Sequence, residues 1–128
     1  MKKDLGLWID HRRAVIVTLD GGNTDIREIS NGMERQDLYD DDPRNETADD
    51  IIDRHYAGHL KQYYDGVISA IRDAASVYIM GPGEAKGELR KRMEKEGLGA
   101  CIVGVETADK MSDKQIAIKV HQRFSGAS

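Results

Sequence analysis

The feature that most constrains the fold is a change of hydrophobic pattern along the second half of the sequence. Ser76–Met80 is a short apolar run, residues 84–96 carry apolar side chains at helical spacing, and Ala100–Val105 is a second, buried-type apolar run. This order predicts a strand, a helix and a strand. Because strands joined by a crossover helix lie parallel in one sheet, with the helix on its face, the pattern predicts an α/β fold.

The first thirty residues predict three antiparallel strands. The apolar runs Leu5–Ile9 and Ala14–Leu19 are separated by a polar stretch short enough for a hairpin. A second turn signal at residues 21–23 precedes Thr24–Ser30, which is polar enough for an exposed edge strand. The chain is therefore expected to begin with a three-stranded meander.

Two further helices complete the predicted order. Apolar and aromatic residues between Ile52 and Ala74 recur at spacings of three and four, which is the pattern of a long helix. Ser112 and Gln115 have the spacing of a capping box, so the last helix is expected to begin there. The order β-β-β-α-β-α-β-α predicts a mixed five-stranded sheet with helices packed on its faces, the element order of a ribonuclease H-like fold.

Composition narrows the class of protein. A length of 128 residues predicts a single domain over residues 1–128. No apolar run approaches a membrane span and the start lacks a secretory signal, so no membrane partner and a cytoplasmic location are expected. The lone Cys101 suits a reducing compartment, and a net charge of -4 argues against a general nucleic-acid binder. The acidic stretch at about residues 31–47 predicts a mobile loop.

The segment between the predicted fourth strand and its helix is a candidate anion site. It reads Gly81-Pro82-Gly83-Glu84-Ala85-Lys86. Backbone N–H groups and the positive end of the helix could receive a phosphate, most simply from an RNA backbone. The alternative is a tight turn with a solvated lysine. The segment matches neither a Walker A loop nor a dinucleotide fingerprint, so no cofactor is predicted.

Two basic clusters are the other candidate contacts with RNA or the ribosome. The first, in the predicted hairpin turn, comprises His11, Arg12 and Arg13. The second, on the predicted second helix, comprises Lys86, Arg90, Lys91, Arg92 and Lys95. The alternative interpretation is a solvated face on which these charges pair with neighbouring glutamates.

Carboxylates near strand ends suggest an alternative function. Asp10 lies near the end of the predicted first strand, and Glu106 and Asp109 follow the last one. Nucleases of ribonuclease H architecture hold two magnesium ions with carboxylates placed in this way, so a metal-dependent nuclease is a second hypothesis. The same residues are equally common in turns. His55 and His59 share one helix face and could bind a metal, but no third ligand is identifiable.

Three of these features together resemble a known family. They are the hairpin Leu5–Leu19 with its Asp10 turn, the Gly81-Pro82-Gly83-x-x-Lys86 turn, and the last strand followed by residues 106–109. They resemble the central domain of the archaeal and eukaryotic class-one peptide-chain release factors and of Pelota, and more particularly the small stand-alone bacterial proteins related to that domain. The resemblance implies a ribonuclease H-like fold and a place in translation, with the ribosome, tRNA or rRNA as partners.

The resemblance also bears on catalysis. Release factors carry a Gly-Gly-Gln loop between the third strand and the long helix, where this chain reads Asn31-Gly32-Met33-Glu34-Arg35-Gln36. We therefore expect no peptide release and no catalytic residue, and a Pelota-like module that binds without hydrolysing, as in ribosome rescue. A third hypothesis is a protein-binding adaptor that uses the acidic loop around Asp40.

Overall fold

The computed structural model describes the backbone of residues 3–31 and 48–125, and the side chains of residues 3–31 and 58–125. The predicted acidic loop, apart from Asn31, lies outside the described residues. The described elements are β1 (Lys3–Ile9), β2 (Arg13–Asp20), β3 (Asn23–Ser30), α1 (Ala48–Ile71), β4 (Ala74–Gly81), α2 (Ala85–Lys95), a 3₁₀ turn (Gly99–Cys101), β5 (Ile102–Thr107) and α3 (Asp113–Phe124).

The strands form one five-stranded sheet in the order β3-β2-β1-β4-β5. The meander strands β1, β2 and β3 pair antiparallel, whereas β4 is parallel to both β1 and β5. The predicted element order and the mixed five-stranded α/β sheet with three helices are therefore confirmed.

The core lies on both faces of this sheet because side chains alternate along the central strands. One face packs against α1 and α2, and its buried side chains include Leu7, Ile79, Val67, Tyr64 and Leu89. The other face packs against α3, and its buried side chains are Trp8, Val15, Val17, Tyr78, Met80, Ile116 and Val120. Gly6 lets α3 approach, since a Cβ there would collide with the Val120 side chain.

The last helix begins as its sequence predicts. Ser112 Oγ accepts a hydrogen bond from the Gln115 N–H at 3.2 Å, and Gln115 Oε1 accepts from the Ser112 N–H at 2.9 Å. This reciprocal pair is the predicted capping box, and it fixes the start of α3. Within the described part of the chain, no helix is long and apolar enough to cross a membrane.

Two predicted boundaries were wrong. A buried strand was predicted from Ala100, but residues 99–101 form a 3₁₀ turn, and β5 begins at Ile102 and is only partly buried because it is an edge strand. Cys101 therefore lies in that turn, and its partial burial raises the pKa of its thiol. Ala74 fits the helical spacing of α1 but belongs to β4, because the helix ends at Ile71.

Candidate nucleic-acid interface

The turn after β4 depends on close contact between two backbones. Gly81 has a φ of 153°, and a Cβ at this position would collide with the carbonyl oxygen of Ile9 in the neighbouring strand β1. The Gly81 carbonyl also accepts a hydrogen bond from the Ala108 N–H at 3.0 Å, beyond the end of β5. Gly81 is buried. It therefore joins three strand ends and sets where the following turn leaves the sheet.

The next residues form an exposed turn that leads into α2. Gly83 has a φ of 62°, and no atom lies within 4 Å of the place that a Cβ would take. The side chain of Glu84 makes no capping hydrogen bond at the start of the helix. The Lys86 ammonium instead reaches back and donates to the Gly83 carbonyl. A cation is thus held over the turn at the positive end of α2.

A groove of about 900 Å³ runs beside this turn, between α2 and β5. Its cationic lining residues are Lys86, Arg90 and Lys91. Its acidic lining residues are Glu84, Glu88 and Glu94. One charge pair of the alternative interpretation, a solvated helix face with paired charges, is present: Arg90 lies 3.8 Å from Glu94. Among the residues whose side chains are described, Lys86 and Lys91 have no ion pair. The Lys86 ammonium uses one of its three N–H donors for the Gly83 carbonyl, so both lysines retain donors for an anion.

Arg92, another basic residue of α2, faces away from this groove and towards α1. Arg92 lies 3.8 Å from Asp65 of α1, and its guanidinium stands 5.5 Å from the centre of the Tyr64 ring. These contacts attach α2 to α1. Arg92 therefore serves packing between the helices, and we do not count it with the groove cations.

The structure divides the first basic cluster between the two faces of the sheet. His11 lies on the α2 side, where its Nε2 is 3.1 Å from Glu88 Oε1. Arg13 lies on the α3 side, where its guanidinium is 3.3 Å from both Glu28 and Asp113. Arg12 is exposed between them. The turn therefore brings His11 to α2, and it does not bring Arg13 there.

Glu88 is one of the glutamates beside the basic residues of α2, and it connects three elements of the fold. The same Oε1 atom that faces His11 also accepts a hydrogen bond from the Tyr64 hydroxyl at 2.5 Å. Glu88 thus links α1, α2 and the β1–β2 turn. No spacing in the sequence indicates this link, because the three partners are far apart along the chain.

The carboxylates considered for a metal site have other partners. Asp10 Oδ1 accepts hydrogen bonds from the Arg12 and Arg13 N–H groups at 2.7 and 2.8 Å, which makes Asp10 the predicted alternative, a turn former. Glu106 Oε2 accepts from the Tyr78 hydroxyl at 2.5 Å. Together with burial, this bond raises the pKa of Tyr78.

The geometry does not assemble these carboxylates. Across residues 3–31 and 58–125, no group of three or more histidine, cysteine or acidic side chains is placed to hold a metal ion. Asp109, the third candidate, is exposed, and its backbone carbonyl accepts a hydrogen bond from the Trp8 indole at 3.0 Å. The His55 side chain lies outside the described residues, so the His55–His59 pair stays a prediction.

Comparison with solved structures shows which known proteins share this fold. No family model matches the chain, and no curated protein matches it in sequence. Pelota from Thermoplasma acidophilum matches 98% of this chain with a TM-score of 0.64 and 16% identity. Pelota from Archaeoglobus fulgidus matches 94% of it with a TM-score of 0.59 and 14% identity. The archaeal translation termination factor aRF1 gives a TM-score of 0.45, too low to bear on the fold.

The match covers 34% and 31% of the two Pelota chains, so this chain spans about a third of their length. At these identities the likeness concerns the fold. The chain therefore has the fold of a domain that occurs in Pelota.

Proposed function

We propose that residues 1–128 act as one translation-associated module that binds ribosomal or transfer RNA, related to the central domain of Pelota and the release factors. The observation that carries this proposal is the likeness to Pelota over 98% of the chain at a TM-score of 0.64. A ribosomal partner would place the protein in the cytoplasm.

The proposed contact is the α2 surface, which we define as Gly83, Lys86, Arg90 and Lys91. Positive charge comes from the ammonium groups of Lys86 and Lys91. The start of α2, which has no side-chain cap, adds backbone N–H groups that can donate hydrogen bonds to phosphate oxygens. Because Arg90 is exposed and its pairing with Glu94 is a surface ion pair, it can exchange that partner for a phosphate at little cost.

The turn residues of the first basic cluster have a secondary place in this proposal. His11 lies against Glu88 at the edge of the α2 surface and Arg12 is exposed beside it, so both could extend the contact. Arg13 is held on the opposite face by Glu28 and Asp113, so we leave it out of the contact.

The proposed role is binding without peptide release. The sequence has no Gly-Gly-Gln between β3 and α1, which is where release factors carry it. A module of this kind suits ribosome rescue, in which a factor occupies the ribosome without itself hydrolysing peptidyl-tRNA.

Co-sedimentation with purified ribosomes tests the proposal. We expect the wild-type protein to pellet with ribosomes at low salt and to dissociate as salt rises, because phosphate contacts release counterions. Reversing both open charges in Lys86→Glu/Lys91→Glu should weaken binding by about tenfold or more. Both positions lie on a helix surface, and glutamate at position 86 suits the positive end of the helix, so the fold should persist.

The matched control is Lys110→Glu/Lys114→Glu, which makes the same change of charge at two exposed positions outside the α2 surface. This control should bind like the wild type. Equal loss in both double variants would mean that net charge alone governs the interaction. Absence of the wild-type protein from the ribosomal pellet at low salt would refute the proposal.

A further inference from the structure

Among the residues that the structure describes, the outer edge of β3 has no neighbouring strand. β3 pairs with β2 on one side along its whole length, without a bulge. No strand within the described ranges pairs with its other side. All of its residues except Ile29 are exposed. An edge strand of this length without proline or bulge can accept another strand unless its side chains prevent it.

The hairpin turn decides which backbone groups face outward. Gly21 and Gly22 both have positive φ and connect β2 to β3, so the flanking pair Asp20–Asn23 is a hydrogen-bonded pair. In an antiparallel ladder such pairs alternate, so the odd-numbered residues of β3 bond to β2. The Asn31 N–H continues this pattern by donating to the Arg12 carbonyl at 2.8 Å. The N–H and C=O groups of the even-numbered residues therefore point away from the sheet.

A second copy of the chain can bond to these groups only in certain registers. A two-fold axis perpendicular to the sheet keeps each face on the same side, so residues that lie opposite each other must point to the same face. Such an axis therefore passes midway between one residue and its own copy, which lie opposite each other. We name each axis by that residue. Axes through Asp25, Arg27 or Glu28 each place a charge opposite the same charge, which destabilises a pair of strands.

An axis through Ile26 gives a complementary register. It places Asp25 opposite Arg27 of the other copy, and by symmetry it makes that pair twice. We propose that this chain forms a two-fold homodimer by antiparallel pairing of β3 with β3, centred on Ile26, so that the two sheets become one continuous sheet.

The two charged residues are available for this pairing. Asp25 and Arg27 are exposed, and neither has an ion pair with another residue in the described part of the chain. Both line a groove of about 430 Å³ on the α1 side of the sheet. Glu28, by contrast, is 3.3 Å from Arg13 within the same chain, and in this register it faces Thr24.

Apolar side chains on the other face point to the same partner. Ile26 is 44% exposed and would lie against its own copy at the axis. Ile118 of α3, 49% exposed, is three residues before His121, which contacts Thr24 of β3 at 2.8 Å. Because residues three apart share a side of a helix, Ile118 lies on the side of α3 beside this edge. At the opposite edge of the sheet, Arg123 already bonds to the Val103 carbonyl of β5.

A charge swap tests the register. In sedimentation velocity over a concentration series, the wild-type protein should change from monomer to dimer. The single variants Asp25→Arg and Arg27→Asp each place like charges opposite one another twice, and each should raise the dimer dissociation constant about tenfold or more. The double variant Asp25→Arg/Arg27→Asp exchanges the two charges and should dimerise like the wild type.

Two results would overturn this inference. One is a wild-type protein that stays monomeric throughout the concentration series, in which case the charged side chains of β3 prevent pairing at this edge. The other is a double variant that is folded by circular dichroism but dissociates as readily as the single variants. The ribosome assay does not depend on these variants, so the dimer and the proposed function stand or fall separately.

Discussion

Replacing Gly81 by alanine is expected to lower the free energy of unfolding by about 3 kcal/mol or more. The added Cβ would collide with the carbonyl oxygen of Ile9 and lie 3.1 Å from its carbonyl carbon. Backbone atoms cannot move aside as a flexible side chain can, so β1 and β4 would have to separate. Alanine would also be strained at a φ of 153°. Urea unfolding followed by far-UV circular dichroism measures the effect.

Gly83→Ala is the matched control for this prediction. It makes the same change in the same turn and also at positive φ, but no atom lies within 4 Å of the added Cβ. Only the backbone strain remains, so we expect a loss of about 1 kcal/mol. If the two variants lost equal stability, the close approach of β1 and β4 would not be what requires glycine at position 81.

Trp8→Ala should cost about 3–5 kcal/mol of unfolding free energy. Trp8 is 1% exposed and is the largest side chain between the sheet and α3. Its indole N–H donates to the Asp109 carbonyl at 3.0 Å, and the Arg13 guanidinium stands 5.1 Å from its ring. Truncation would leave a cavity and remove the bond that ties the β5–α3 connection to β1.

Trp8→Phe separates these two effects. Phenylalanine keeps most of the buried ring but loses the N–H, so this variant should lose about 1–2 kcal/mol, clearly less than alanine. Urea unfolding, again followed by far-UV circular dichroism, compares both variants with the wild type. A Trp8→Ala protein with an unfolding midpoint close to that of the wild type would contradict the packing described for α3.

Local patterns in the sequence predict most of the fold. Helical spacing and capping depend on residues a few positions apart, so α1 and the start of α3 at Ser112 could be inferred from the sequence. The crossover helix between β4 and β5 likewise predicts that these strands are parallel. The prediction that β5 is buried was wrong, because an apolar run does not reveal whether its strand lies inside a sheet or at its edge.

The candidate site was predictable only in part. The sequence locates the turn at Gly81 and Gly83, but it does not reveal that Gly81 faces the backbone of Ile9. It also groups His11 with Arg13, which strand alternation alone would place on the same face, but His11 lies in the β1–β2 turn, where that alternation is interrupted, and the two side chains lie on opposite faces. Such relations depend on which strands become neighbours, and no spacing along the chain records that.

The central claim is that the α2 surface contacts RNA on the ribosome. Site-specific photo-cross-linking tests it most directly, with a photoreactive amino acid in place of Lys91 on the α2 surface or in place of Lys114 on α3. We predict that ribosomes will yield a ribonuclease-sensitive cross-linked species from position 91 and little from position 114. A cross-link from position 91 to protein alone, or equal RNA cross-linking from both positions, would contradict the claim.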